Sequence, residues 1–433
     1  MRRCVWVLSA ALLSQTVAAG EHLTLAQAVS EGLGESPIVA GAEAQKKLAA
    51  WQKISALTYV LPKASAFATH YFSAKYETLP FEAGPISAEV PIAYPKTSYG
   101  LEMRWTLFDG LAGPKRTEAA YINYQAADAA AERRHFEVRK KIELQYFAVL
   151  AAGELREVAL RNLKTIQDSL VIAEARVKNG ISTAPDVLRV QVQKTEAEAE
   201  VQRTGDTIVI QRQRLRQLMG RASDERVLEG KLPEPSDRER VSQLVFAGVT
   251  ERDDIRAIEL QAQAAAKLRT AGYGELWPSV SLVGHIENYD NTDYAVSKSN
   301  SNYRSAYGIG LALKWDILDA ATLAKPGIAS AEFEVAESQR KEAVLNAPTD
   351  FELWKRRYIY SSDLYQARLN DIKRADESLR IIHLSFQQGR RIINEVLDAE
   401  VDLFRARAGA VQSLFEATEA RNQLELVLGK DLK

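Results

Sequence analysis

The sequence predicts an α+β membrane protein, in which a long α-helical coiled-coil barrel is joined to four strands per chain and the whole is written as an internal two-fold repeat. Three observations carry that prediction. Two long stretches share a heptad pattern and end in the same kind of break. Two short stretches alternate strictly between bulky apolar and charged residues. The elements then recur in one order, with the breaks at Gly180 and Gly389 separated by 209 positions.

The chain begins with "MRR", an apolar "VWVLSAALL" and the small residues "TVAAG". This is the pattern of a secretory signal peptide, residues 1–19, with cleavage expected after Ala19. Cleavage removes Arg2, Arg3 and the single cysteine, Cys4, and takes the formal charge from −1 to −3. The mature chain therefore has no thiol or disulfide chemistry. No later run is apolar enough for a transmembrane helix, so a mature chain that crosses a membrane must cross it with strands.

Residues 20–228 and 241–433 read as two structural repeats, linked by the proline-rich, charged stretch 229–240. Each repeat reads helix, strand, loop, strand, long helix, break, helix. In the first, Leu163, Ile166, Leu170, Ala173 and Val177 form a heptad seam, continued upstream through Val149, Ala152 and Ala159. In the second, Ile372, Ala375, Leu379, Ile382 and Phe386 do the same. From Pro114 to Gly180 nothing strongly breaks the helical pattern, which corresponds to a helix of roughly 100 Å. Pro348 has no counterpart in the first repeat and is expected to kink or split the second long helix.

In "LEMRWTLF", Leu101, Met103, Trp105 and Leu107 share one face, and Glu102, Arg104 and Thr106 the other. In "LALKWDIL", Leu311, Leu313, Trp315 and Ile317 oppose Lys314 and Asp316. This alternation fits strands with lipid on one side and water on the other. Four strands cannot close a barrel, and open edges in lipid leave backbone groups unpaired at several kcal/mol each. Two copies would supply eight strands and three would supply twelve. A lumen lined by charges favours the wider, trimeric twelve-stranded transmembrane β-barrel.

The breaks read "KNGISTAPDVL" and "QQGRRIINEVL". Gly180 and Gly389 suit the left-handed residue after a helix. Ser182 and Thr183 can cap the returning helix, with Pro185 in its first turn and Asp186 near its positive end.

The opening "LTLAQAVSEGLGESPIVAGAEAQ", the strand ends "WTLFDG" and "KWDILDA", and both breaks, in this order, resemble the TolC-type outer-membrane efflux factor family. The resemblance covers nearly the whole mature chain. It implies a homotrimer in the outer membrane of a Gram-negative bacterium, with strands facing outer-membrane lipid and a long periplasmic helical tunnel. It implies a periplasmic adaptor protein and an inner-membrane pump as partners, and the export of drugs, metals or other toxic compounds. A type I protein or peptide secretion conduit is the alternative within the family; a periplasmic structural coiled coil is the alternative outside it. The resemblance also places Glu395 and Asp398 at a ring of carboxylates in the tunnel constriction. Arg391 falls where the family has an arginine linking neighbouring hairpins, with Asp186 as its partner. Where the family has Asp, the first carboxylate here is Glu.

Other classes find little support. The five histidines, His22, His70, His135, His285 and His383, are scattered with no metal-ligand spacing. No nucleophile elbow, phosphate loop or dinucleotide motif occurs, so no enzyme activity and no cofactor are expected. The near-neutral charge gives no footprint for nucleic acid.

Overall fold

The computed structural model describes residues 22–72, 77–92, 97–246, 252–290 and 303–432. The expected signal peptide lies outside the described residues. In chain order the elements are β1 (His22–Leu23), α1 (Leu25–Glu35), α2 (Pro37–Ala56), a 3-10 turn (Leu57–Tyr59), β2 (Lys63–His70), β3 (Glu77–Ala83), β4 (Ile86–Ile92) and β5 (Thr97–Phe108). They continue with α3 (Ala112–Lys178), α4 (Ala184–Met219), β6 (Val227–Leu228), α5 (Arg238–Ser242), α6 (Asp253–Gly274), β7 (Ser279–Asp290), β8 (Tyr303–Lys314), α7 (Ala320–Gln387) and α8 (Ile393–Leu428). The repeat is plain in the lengths. The long helices α3 and α7 have 67 and 68 residues, and the returning helices α4 and α8 have 36 each.

The chain divides into two compact units that cut across the repeats. One gathers residues 42–133 and 249–346, the other residues 1–41, 134–248 and 347–433. Each unit thus takes material from both halves of the sequence. The expected split at Pro348 is not observed: α7 is one helix through that position. The neighbours Ala347 and Phe351 are buried at 1% and 3%, and Phe351 packs with Val241, Tyr358 and Leu424. Packing on both sides of the proline offsets the one backbone hydrogen bond that it removes.

In the strand-bearing unit, β2, β5, β7 and β8 form one antiparallel sheet in that order, so β2 and β8 are its edges. The segment between β2 and β5, expected as a loop, carries an additional hairpin, β3–β4. Register groups the residues by face. Leu101 stands opposite Ala66 and Ile286, Met103 opposite Ala64 and Gly284, and Trp105 opposite Leu282. Leu311 and Leu313 stand opposite Leu282 and Val280. These residues share one apolar face, since cross-strand partners point the same way. Leu311 and Leu313 are each 70% exposed, on a surface that nothing else among the described residues covers.

Two details depart from strict alternation. A bulge skips Leu107, so Phe108 takes the place opposite Val280 that alternation assigned to Leu107. Strand β8 ends at Lys314, so Trp315 and Ile317 lie beyond it rather than in it. Both indoles nonetheless have matched positions. The Trp105 ring N–H donates to the Val60 carbonyl at 2.9 Å, and that of Trp315 to the Leu276 carbonyl at 3.1 Å. In each repeat a tryptophan therefore closes the elbow between helix and strand. Below the elbows, Glu275 at the end of α6 pairs with Arg116 of α3 and Lys325 of α7, tying both long helices to one carboxylate.

The helical unit is organised around a buried ion cluster. The Lys140 side chain is 4% exposed and contacts Glu143 at 2.8 Å, Glu425 at 2.6 Å and Asp431 at 2.7 Å. Burial alone would lower its pKa, but the three carboxylates outweigh that and hold the ammonium above its ordinary range. Glu425 also accepts the Leu432 backbone N–H at 3.0 Å, and Arg139 donates to both Asp431 oxygens. The cluster joins α3, α8 and the residues after α8. The expected link between repeats is also fastened. Leu232 is buried at 5%, and the Tyr146 hydroxyl bonds the backbone of both Leu23 and Glu229.

Removing the cation from this cluster leaves Glu425 charged and buried. Lys140→Met should cost roughly 3–5 kcal/mol, and adding Glu425→Leu should return part of that loss. Urea unfolding followed by helical circular dichroism checks both. Equal stability of Lys140→Met and the parent would contradict the account.

Candidate functional site at the paired helix breaks

The two breaks have the same construction. Gly180 has φ +72° and Gly389 φ +73°, where a Cβ is strained. The N–H after each glycine reaches back to close the helix end, Ile181 to the Arg176 carbonyl and Arg390 to the Ser385 carbonyl, both at 2.9 Å. The glycine N–H groups bond Val177 and Phe386. This is a Schellman cap at the end of α3 and again at the end of α7.

The returning helices start differently. Thr183 is the N-cap of α4, and Pro185 lies in its first turn. Asp186 accepts from the Thr183 N–H at 3.0 Å and from the hydroxyls of Ser182 and Thr183 at 2.8 Å. The Thr183 N–H, then the two hydroxyls, hold its carboxyl below the ordinary range. The N-cap of α8, Ile392, makes no side-chain capping bond. Glu395 lies in its first turn and accepts from Arg391 Nη1 at 2.6 Å.

Within one chain, then, Arg391 pairs with Glu395 and not with Asp186. The pair is 55% and 35% exposed and spans one helical turn. Such a pair is worth a few tenths of a kcal/mol, too little to hold two hairpins together. Asp398 is exposed, one turn further along α8. Glu395, Asp398 and Asp402, at steps of three and four, line a groove of about 690 Å³ between α7 and α8. Arg368, Arg374, Arg391 and Arg405 line it too, with Asp371. The acidic pair read from the sequence is thus part of a mixed-charge groove. Asp402 was legible in the heptad spacing, whereas the α7 arginines only tertiary packing brings alongside.

Behind this groove the seams meet. Ile166, Ala173, Val190, Phe386, Ile393, Val396 and Leu397 form one buried cluster, with Leu163, Leu170, Val187 and Ile382 against it. One acid lies buried in the same region. Glu400 is 2% exposed, and its Oε1 accepts the Ser169 hydroxyl at 2.6 Å. Its Oε2 has no hydrogen-bond partner among the described residues. Burial raises its pKa, the Ser169 bond opposes that, and the Asp168 charge adds to the rise. Among the described residues no group of side chains is arranged to hold a metal ion.

A model of the outer membrane efflux protein family matches residues 89–221 and 249–430, well over half of the chain. The chain belongs to the outer membrane efflux protein family. The efflux protein is 22% identical over 413 residues to nodulation protein T of Rhizobium leguminosarum bv. viciae, covering 94% of this chain and 82% of that protein. Its fold is similar to that of CusC, with a TM-score of 0.78 at 19% identity over 94% of this chain and 92% of that one. It is likewise similar to the outer membrane protein VceC of Vibrio cholerae, with a TM-score of 0.75 at 21% identity over 94% and 97%. The family assignment makes the chain an outer-membrane efflux channel component, in a family of channels rather than enzymes.

Glu400 supplies a pH test of the seam. Its folded pKa is raised, so its stabilising contribution is complete below the unfolded value, about 4.3, and is lost as pH rises through the folded value. Glu400→Gln keeps the acceptor for Ser169 and never ionises. It should raise the melting temperature near neutral pH and leave it unchanged below about pH 4. Calorimetry at both pH values decides; an equal shift at both would show that ionisation is not involved.

Proposed function

We propose that three copies of this efflux protein assemble into one exit duct, with β8 of each copy pairing with β2 of the next to close twelve strands. The observation that carries this reading is the pair of open edges, β2 and β8, on a sheet whose outer face is apolar. In lipid those edges have no water to bond, so only closure satisfies them. The helical unit lies in the periplasm. An adaptor and an inner-membrane pump engage it there, and the cargo is small molecules such as drugs, metals or other toxic compounds.

In this reading Glu395 and Asp398 of three copies surround the narrowest periplasmic passage. Arg391 reaches the neighbouring copy, where Asp186 is its partner. Among the described residues the bonds of Asp186 to Ser182 and Thr183 fall on Oδ2, which leaves Oδ1 for a neighbouring guanidinium. The exposed Arg391–Glu395 pair is weak enough to exchange for that contact.

Mass measurement of the folded, detergent-extracted protein should give a trimer; a folded monomer would overturn the duct. In planar bilayers, Glu395→Gln with Asp398→Asn should reduce cation selectivity, because the ring's field is removed. Arg391→Ser should raise conductance, because a closing contact is lost. Unchanged selectivity in the first variant and unchanged conductance in the second would move the gate elsewhere.

A further inference from the structure

The face of the sheet opposite the apolar one is not evenly charged. Lys63, the first residue of β2, stands directly opposite Arg104 of β5, and the same row continues through Val283 of β7 to Gly310 of β8. Direct partners point the same way with Cβ atoms about 4.5–5.5 Å apart, and like charges so placed repel. Neither cation has a carboxylate within ion-pair reach among the described residues. Lys314, at the end of β8 on the same face, is by contrast paired with Asp316 at 3.0 Å. The nearest acids of the sheet belong to the next rows, Glu102 opposite Ser65 and His285, and Glu287 opposite Gly100.

The row is fixed in place and left open. Trp105, beside Arg104, donates to the carbonyl of Val60, three residues before Lys63, so the elbow holds both cations at the helix-bearing end of the sheet. Val283 brings no charge, and a Cβ added at Gly310 would meet nothing within 4 Å. The next row is filled instead. There the His285 ring lies over Gly308, where an added Cβ would come within 2.7 Å of it. One level of the face thus carries an unpaired, mutually repelling cation pair beside open space, and the levels beyond it carry imidazole and carboxylates.

We propose that Lys63 and Arg104 form an anion-binding belt inside the barrel, a station for the phosphate, sulfonate or carboxylate groups of solutes on their way out. Three copies set six such cations around one lumen, and rings of Lys and Arg attract anions as rings of Asp and Glu attract cations. An anion between the two side chains of a pair relieves their repulsion, so the unpaired arrangement is the receptive one. Low-dielectric walls focus the field of the belt along the passage. The belt rests on the duct reading above, since only closure brings the three pairs around one lumen. It does not rest on Glu395 or Asp398, which belong to the other compact unit.

The experiment uses the full chain in planar bilayers, with sodium tripolyphosphate added on the barrel side so that the anion reaches the belt without passing the helical end. The current of the parent should be blocked, more deeply at the polarity that drives anions into the barrel. Rising potassium chloride should weaken the block, because it screens exposed charges. Lys63→Gln with Arg104→Gln should raise the half-blocking concentration about tenfold, the sum of several exposed charge contacts per bound anion. Lys63→Arg with Arg104→Lys keeps both charges and should keep the block. Glu102→Gln with Glu287→Gln removes the neighbouring acids and should strengthen it. If the doubly neutralised variant fails to insert, Lys63→Gln alone should still raise the half-blocking concentration about threefold. A conducting parent that tripolyphosphate does not block, or equal block in the parent and the neutralised variants, overturns the belt and leaves the duct standing. A folded parent that forms no channel overturns the duct reading, and the belt with it.

Discussion

The constraint on which this protein depends is that backbone groups in lipid must find partners within protein. Among the described residues β2, β5, β7 and β8 form a sheet with two free edges. Everything else about the strand unit follows from where that sheet must sit. Its apolar face carries Leu101, Trp105, Leu311 and Leu313 at high exposure, a liability in water and an asset against lipid. The opposite face carries Glu102, Arg104 and glycines such as Gly308 and Gly310, which suits a wet lumen. The proposed closure by neighbouring copies removes the edges and gives each face its proper medium.

The helices face a different problem. Long helices packed through alanine-rich seams gain little specificity from apolar contact alone, because a shift by one heptad presents a similar surface. Buried charges resolve the register. Lys140 can meet Glu143, Glu425 and Asp431 together in only one alignment of α3 against α8. Glu275 does the same for α3 and α7 near the strands. Such clusters add less to stability than their Coulomb energies suggest, yet misalignment would leave unpaired charges in the interior.

At the breaks, the energies divide into two kinds. The Arg391–Glu395 pair is exposed and local, so it costs little to break. The Arg176–Phe386 contact is half-buried and long-range, and it uses a carbonyl that is already part of a helix cap. Glu400, buried with one oxygen unpartnered among the described residues, marks the same seam as a place where charge is tolerated poorly.

The sequence by itself determined the repeat, the length of the first long helix, the glycine-capped breaks and the alternation of Leu101 through Trp105, because each is a local pattern with a fixed period. Gly180 and Gly389 were legible because a left-handed backbone after a helix favours one residue type. Tertiary structure decided what local pattern cannot carry. The bulge that exchanges Leu107 for Phe108 depends on the pairing of β5 with β7. The continuity of α7 through Pro348 depends on packing around Ala347 and Phe351. Arg176 reads in sequence as one more basic residue at a helix end. Only folding brings Phe386, 210 positions away, beneath its guanidinium.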